Sequence, residues 1–303
     1  MKHISVMLNE TIELLNINPE GIYVDATLGA GGHSYEICKH LTTGRLIGFD
    51  KDLDAIERTS KRLAEFGDKV TMVHGSYTQL TEKLQELGIE AVDGVLFDLG
   101  VSSPQFDDGD RGFSYRFDSR LDMRMDQTQA LSAYEVVNEY AEEDLVQILK
   151  DNSDERYARR IVKQIMENRP VETTFELVDL IKRAYPGKEL KKGHPAKKTF
   201  QALRIEVNNE FEEVKDAVEQ AVLAIKPGGR VVVITFHSIE DRIVKRIFSN
   251  YGKPKKVDPR LPIIEEEILN YKLVSKALKA SAEELEFNNR AHSAILRGIE
   301  RVK

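Results

Sequence analysis

One stretch constrains this chain more than any other: Tyr23-Val24-Asp25-Ala26-Thr27-Leu28-Gly29-Ala30-Gly31-Gly32-His33. From Ile22 it is β-branched or aromatic, as a buried strand requires. An acid and a glycine cluster follow, and Ser34-Tyr35-Glu36-Ile37-Cys38 then starts a helix. A strand, a glycine turn and a helix in succession present backbone N–H groups to a closely approaching ligand.

Two ligand classes use such a loop. The dinucleotide fingerprint needs three glycines; Gly29 and Gly31 supply two, and Ser34 stands at the third position. S-adenosylmethionine sites carry an acid at the strand end and have no pyrophosphate to cradle, and Asp25 followed by glycines fits that version better.

The pattern then repeats. Leu8, Ile12 and Leu15 have helical spacing ahead of the first strand. Arg45 to Asp50 reads as a second buried strand, Val70 to Val73 as a third and Val92 to Asp98 as a fourth, separated by helices near Leu53–Phe66 and Gln79–Leu87. Strands alternating with helices imply a parallel, doubly wound sheet whose ligand lies at the carboxyl ends. Asp25, Asp50, Tyr77 and Asp98 all fall at such ends. Asp50 either accepts both hydroxyls of a ribose, since a carboxylate offers two oxygens to a vicinal diol, or caps the next helix, for which Asp52 is also available. Tyr77 is a candidate face for adenine.

Beyond the fourth strand, Leu99 to Phe106 is rich in hydroxyls and carbonyls and sits where an acceptor amine would be held. Phe113, Tyr115 and Phe117 alternate with polar and charged residues within Arg111 to Asp126. That run either stacks a base while arginines hold phosphate, or forms an edge strand. Residues 131–184 lose the strand pattern and read as an inserted helical region. From Lys182 to Arg204 there are eight Lys or Arg against one Glu, in a chain of net charge -7. This local basic run is either a phosphate-binding surface or a solvated face. The sheet resumes after Asn208, with Lys226-Pro227-Gly228-Gly229 turning into a strand over Val231–Phe236. His237 either lines the acceptor pocket or caps the following helix. No G-x-S-x-G elbow is present, so Phe236-His237-Ser238 is not read as a hydrolase triad.

The remaining observations narrow the setting. Hydrophobic residues make up 41% and charged residues 31%, a globular balance. The single cysteine, Cys38, permits no internal disulfide and reads as core filler in a reducing cytosol. Neither H-x-x-x-H spacing nor a cysteine cluster suggests a metal. The first ten residues lack a signal-peptide pattern and no apolar run is long enough for a bilayer. The expectation is therefore a cytoplasmic protein with no membrane or metal partner.

Several long stretches carry a closer likeness. Asp25 to His33, Asp98 to Gln105, Arg111 to Ser114, Leu121 to Asp126, His194 to Ile205, Phe236 to Arg242 and the terminal Asn289 to Arg297 resemble the bacterial ribosomal RNA small-subunit methyltransferase H family. The resemblance covers nearly the full length. It implies a class I, Rossmann-like α/β sheet dependent on S-adenosylmethionine, with an inserted helical domain. It also implies methylation of N4 of a cytidine in the decoding region of 16S rRNA, with the small ribosomal subunit as partner; self-association stays open. By motif position, the family's cofactor contacts fall on Gly31, Gly32, His33, Asp50, Tyr77, Asp98 and Gln105. Candidate substrate residues are Ser103, Phe113, Arg116, Lys197, Lys198 and His237. No general base is assigned. The expected organisation is a discontinuous methyltransferase domain over 1–112 and 209–303, interrupted by an RNA-recognition insert over 113–208. A non-catalytic RNA-binding protein and a nicotinamide oxidoreductase are the rival readings.

Overall fold

The computed structural model describes residues 4–254 and 269–303. The sequence predicts a Pro/Lys-rich loop over 252–262, and from position 255 onward it lies outside the described residues. The chain divides into two compact units, one formed by 1–100 with 211–303 and the other by 101–210.

The first unit begins with helix α1 (Leu8–Leu15) and alternates through β1 (Ile22–Asp25), α2 (Gly32–His40), β2 (Arg45–Asp50), α3 (Leu53–Leu63), β3 (Val70–His74), α4 (Leu80–Glu86) and β4 (Val92–Asp98). β1 pairs in parallel with both β2 and β4, and β2 with β3. Parallel strands need crossover connections, and the intervening helices supply them. Val24, Ile47, Val95 and Phe97 are all fully buried. Such continuous apolar runs are what a sheet covered on both faces demands. Cys38 is buried in the core of this unit, and burial pushes its thiol up to about 12, as in an inert packing residue.

The second unit carries α5 (Ser103–Asp107), α6 (Ala133–Glu139), α7 (Glu142–Asp151), α8 (Ala158–Glu167), α9 (Thr174–Ala184) and α10 (Ala196–Asn208). Local chemistry sets several starts. Ser132 with Glu135, and Thr173 with Glu176, form capping boxes that satisfy the first amides of α6 and α9. The apolar stripes of these helices close one core around Val136, Leu149, Ile161, Ile165, Leu177, Ile181 and Leu203. Val101 and Phe113 belong to that core. The unit therefore begins just after Gly100, earlier than position 113: the stretch expected to finish the sheet domain is anchored by its own apolar residues to the helices.

The first unit resumes with α11 (Glu210–Ala224), β5 (Ile225–Thr235), α12 (Ser238–Gly252), β6 (Tyr271–Leu273), α13 (Ala282–Phe287) and β7 (Ile295–Arg301). The sheet order is β3-β2-β1-β4-β5-β7-β6. β5 runs parallel to β4, whereas β7 pairs antiparallel with both β5 and β6. The Lys226–Arg230 turn expected ahead of β5 is absorbed into it as a register shift: Ile225 faces Val92, and Arg230 is the next partner, opposite Gly94. Gly228, at φ +85, accommodates the kink. β6 is too short for its sequence to mark it, since three residues carry too little periodicity to announce a strand.

Candidate functional site

β2, β1 and β4 are neighbours in the sheet, so Asp50, Asp25 and Asp98 meet at adjacent carboxyl ends. The three acids have different surroundings.

Asp25 is buried, and both its oxygens are used internally. Oδ1 accepts the Thr27 N–H at 3.1 Å and Oδ2 accepts the Ser34 hydroxyl at 2.5 Å. Burial raises its carboxyl above the usual range, and the Ser34 hydrogen bond opposes that shift. Ser34 itself is fully buried. The residue that spoils the dinucleotide fingerprint thus has its own task, tying the start of α2 to the end of β1. Thr27 adds a second tie, its hydroxyl oxygen accepting the Asp98 backbone N–H at 2.6 Å.

The glycine loop is shaped by tight packing. Gly29 and Gly31 have φ of 51° and 71°, which a residue with a Cβ adopts only with strain. A Cβ on Gly32 would stand 1.8 Å from the Ser5 hydroxyl, and one on Gly31 would stand 2.6 Å from a Thr59 methyl. A side chain at Gly31 would meet the Thr59 methyl at a strained φ, and one at Gly32 would displace the Ser5 hydroxyl. The Gly29 N–H already donates to Asp50 Oδ2, and the Gly31 N–H donates to the Leu28 carbonyl. The first turn of α2, from Gly32, has amides with no carbonyl four residues earlier within the helix, a feature that suits an anionic group.

Asp50 accepts the Gly29 N–H at 2.8 Å on one oxygen and the Asp52 N–H at 2.9 Å on the other. Asp52 is the N-cap of α3 and accepts the Asp54 N–H. The capping alternative for Asp50 is thereby removed. Each Asp50 oxygen keeps one lone pair beyond its amide. Desolvation pushes the carboxyl up to about 6, against the lowering effect of the two amides.

Asp98 differs from both. Its Oδ1 is buried and has no hydrogen-bond partner among the described residues. Its Oδ2 lies 3.6 Å from His33 Nδ1, and His33 Nε2 is 3.0 Å from the Val6 carbonyl. With Nε2–H donating to that carbonyl, the buried imidazole is fixed with Nδ1 toward Asp98. Burial raises the Asp98 carboxyl, while His33 and then Arg290 pull it down. Leaving a buried acceptor unpaired costs about 1–3 kcal/mol, so this oxygen is suited to a donor or cationic group from a ligand. Tyr77 lies beyond β3, half-buried, with its ring edge-on to Phe97 at 5.7 Å.

At the end of β5, His237 is the N-cap of α12. Its Nδ1 accepts the Glu240 N–H at 3.4 Å, and its Nε2 lies 2.8 Å from Glu240 Oε1 without hydrogen-bond alignment. Of the two roles open to His237, the geometry displays the cap. Glu240 was not singled out by the sequence, yet it is buried and accepts the Phe236 N–H at 2.9 Å. Its place in the first turn of α12 is the only signal that pointed to it.

The remaining candidates belong to the second unit. Gln105 is buried, and its side-chain oxygen accepts both the backbone N–H and the hydroxyl of Ser102, closing a capping box whose N-cap is Ser102, with Ser103 the first residue of α5. Phe113, expected as a stacking face for a base, is instead 3% exposed and part of the helical core, with the Arg111 guanidinium 5.8 Å from its ring centre. An alternation of aromatic and polar residues marks one face of a segment as apolar but does not say whether that face turns inward. Arg116 and Lys197 are exposed, and Lys198 is exposed with its ammonium donating to the Asp154 carbonyl.

An S-adenosylmethionine-dependent methyltransferase of the Rossmann-like class is what this arrangement defines: a sheet of this order, acids at three adjacent strand ends and a glycine loop leading into a helix N-terminus. Comparison with known proteins gives the family. A model of the MraW methylase family matches residues 1–302. The chain is 50% identical to ribosomal RNA small subunit methyltransferase H of Mesoplasma florum and 46% identical to that of Lactobacillus delbrueckii subsp. bulgaricus, each match covering 99% of both proteins. A solved rRNA methylase from Streptococcus thermophilus aligns at a TM-score of 0.44 and 12% identity, over 98% of this chain and 94% of that one. The chain belongs to the MraW methylase family.

Proposed function

We propose that this enzyme transfers the methyl group of S-adenosylmethionine to N4 of a cytidine in the 16S rRNA of the small ribosomal subunit, working in the cytosol. The observation that carries the cofactor side is the contrast among the strand-end acids: Asp25 is fully buried with both oxygens bonded inside its own loop, Asp50 is partly exposed with each oxygen holding one amide, and Asp98 keeps a buried oxygen with no partner among the described residues. The acceptor side follows from the likeness to the two curated relatives over their whole length.

Bound S-adenosylmethionine supplies an electrophilic methyl group on a sulfonium. Asp50 is suited to accept the ribose hydroxyls, Asp98 to accept from a donor of the amino-acid part, and Tyr77 to pack against the adenine. The first-turn amides of α2, from Gly32 and His33, suit a carboxylate, because a helix N-terminus favours negative charge. His33 acts here by positioning Asp98, and Gln105 by holding the turn that follows β4. No described side chain is required as a general base, since an alkylated cytosine amine is acidic enough to give its proton to water.

N4 lies on the Watson–Crick edge and its lone pair is conjugated into the ring. The base must therefore be unpaired and splayed out, with the amine aligned toward the methyl group. Exposed Arg116, Lys197 and Lys198 are suited to the neighbouring phosphates. The test is nucleoside mass spectrometry of 16S rRNA from a strain lacking the protein, before and after its restoration. Return of N4-methylcytidine is expected; an unchanged nucleoside profile would sink the assignment.

A further inference from the structure

The second unit carries an exposed strip in which aromatic and cationic side chains alternate. The carbonyl of Phe117 accepts the Thr174 hydroxyl, and Asp118 accepts the Phe175 N–H, so the segment 115–118 is laid against the start of α9. Phe117 and Phe175 are each 44% exposed. Exposed phenylalanine on a helix and on the segment bound to it presents apolar ring faces to solvent. Phe175, Asp179 and Lys182 follow one another along the exposed face of α9 at helical spacing. At the far end the imidazole of His194 is stacked on Tyr115 at 4.1 Å and 9°, and Phe200 meets Tyr115 edge-on at 5.8 Å.

The strip carries two exposed cations, Arg116 and Lys182, beside the acids Asp118 and Asp179. Arg116 is exposed and makes no ion pair among the described residues. Among the described residues Lys182 pairs only with exposed Asp179, a surface contact that an incoming phosphate can replace. Desolvation holds the His194 imidazole below its ordinary value, and the nearby Lys182 and Arg116 charges push in the same direction. His194 Nδ1 accepts the Ala196 N–H at 3.3 Å, which leaves the proton on Nε2 as a donor. Flat rings interleaved with guanidinium, ammonium and a fixed imidazole donor are complementary to the bases and phosphates of an unpaired strand. A duplex offers no exposed base faces to such rings.

We propose that Phe117, Phe175, Arg116, Lys182 and the stacked Tyr115–His194 pair form a track for a single-stranded segment of the RNA substrate. Phe117 and Phe175 stack bases, and Arg116, Lys182 and His194 hold phosphate. The inference rests on the proposed function for the identity of the RNA, but not for the chemistry of the track.

The experiment measures binding of an unstructured RNA oligonucleotide and of a duplex to the full-length protein by fluorescence anisotropy across a salt series. Methyl transfer to 16S rRNA is followed in parallel. For wild type, the single strand should bind tighter than the duplex. Phe175→Ser should weaken single-strand binding by about fivefold to 100-fold. Arg116→Gln should reduce the salt slope by about 0.7, the value for one phosphate contact on a single strand. In both variants KM for RNA should rise with kcat and S-adenosylmethionine affinity unchanged, and thermal melting should show each is folded. If wild type methylates rRNA while both variants bind RNA as wild type does, the track is wrong and the proposed function stands. If the variants lose RNA affinity but wild type yields no N4-methylcytidine, the proposed function fails and the track survives. Altered sedimentation of Phe175→Ser with unchanged RNA binding would make the strip an interface between copies of this chain and overturn the proposal.

Discussion

The Ser34 hydroxyl donates a 2.5 Å hydrogen bond to Oδ2 of Asp25, joining the first turn of α2 to the end of β1 beneath the glycine loop. Both residues are buried, so the loop between them is closed by its own ends. Ser34→Ala leaves one oxygen of a buried carboxylate without its donor, and stability should fall by about 1–3 kcal/mol. The deficit depends on pH in a defined direction. Because burial raises the folded-state value of Asp25, its ionised form costs stability once pH is above the unfolded value, near 3.9, and that cost is complete above the folded value. Removing the Ser34 donor enlarges it. The difference between variant and wild type should therefore be larger at pH 8 than at pH 5 in urea denaturation, and a pH-independent difference would remove Asp25 as its cause.

Asp50 gives a second pH test, this time in ligand binding. Hydroxyl groups donate to a carboxylate, so binding favours its ionised form, and the carboxyl sits at about 6 without ligand. Affinity for S-adenosylmethionine should rise between pH 5 and 7 and then level off. Asp50→Ala should weaken binding by roughly 1–3 kcal/mol and flatten the profile. Calorimetric titrations at several pH values check both; a wild-type affinity that is flat over this range would leave Asp50 as an anchor for the Gly29 and Asp52 amides alone.

Much of this was legible because it is local. Asp25, Asp50 and Asp98 each end an apolar run, and the spacing of those runs fixes a parallel sheet that brings the three ends together. Asp52 as a cap follows equally from its place before Leu53. The Ser34–Asp25 bond was not legible: a serine in place of a glycine registers as a defect in a motif until the fold shows what it touches. Phe113 and Phe117 share one alternating run, yet one is 3% and the other 44% exposed. Only the closure of the helical core around Val101 and Phe113 separates them. The start of the second unit at residue 101 was hidden for the same reason, since the core that claims the segment is assembled from helices far along the chain.

Asp98 shows a conflict between folding and binding. Its Oδ1 is buried with no partner among the described residues, so removing the charge should stabilise the protein without ligand by about 1 kcal/mol, while weakening S-adenosylmethionine binding. Asp98→Asn is the variant to use, because it preserves shape. Thermal melts with and without S-adenosylmethionine read the two effects separately. A variant less stable than wild type in both would place Asp98 in the framework, through its Oδ2 contact with His33.

The last prediction separates the two phenylalanines. Phe113 is packed among the helices of the second unit, so Phe113→Ala opens a cavity there and should cost about 3–5 kcal/mol. Its loss of turnover should then track the unfolded fraction and recover as temperature is lowered. Phe117 makes fewer such contacts: its ring lies over Gly109, where an added Cβ would approach it to 3.2 Å, and much of it faces solvent. Phe117→Ala should change stability by less than about 1 kcal/mol, since exposed positions away from special geometry rarely matter more. Its defect should be in KM for RNA, unaffected by temperature in the range where the protein is folded. Denaturant unfolding of both variants, paired with initial rates at two temperatures, distinguishes these outcomes. If Phe113→Ala unfolds like wild type but fails to turn over, Phe113 returns to the substrate side of the enzyme.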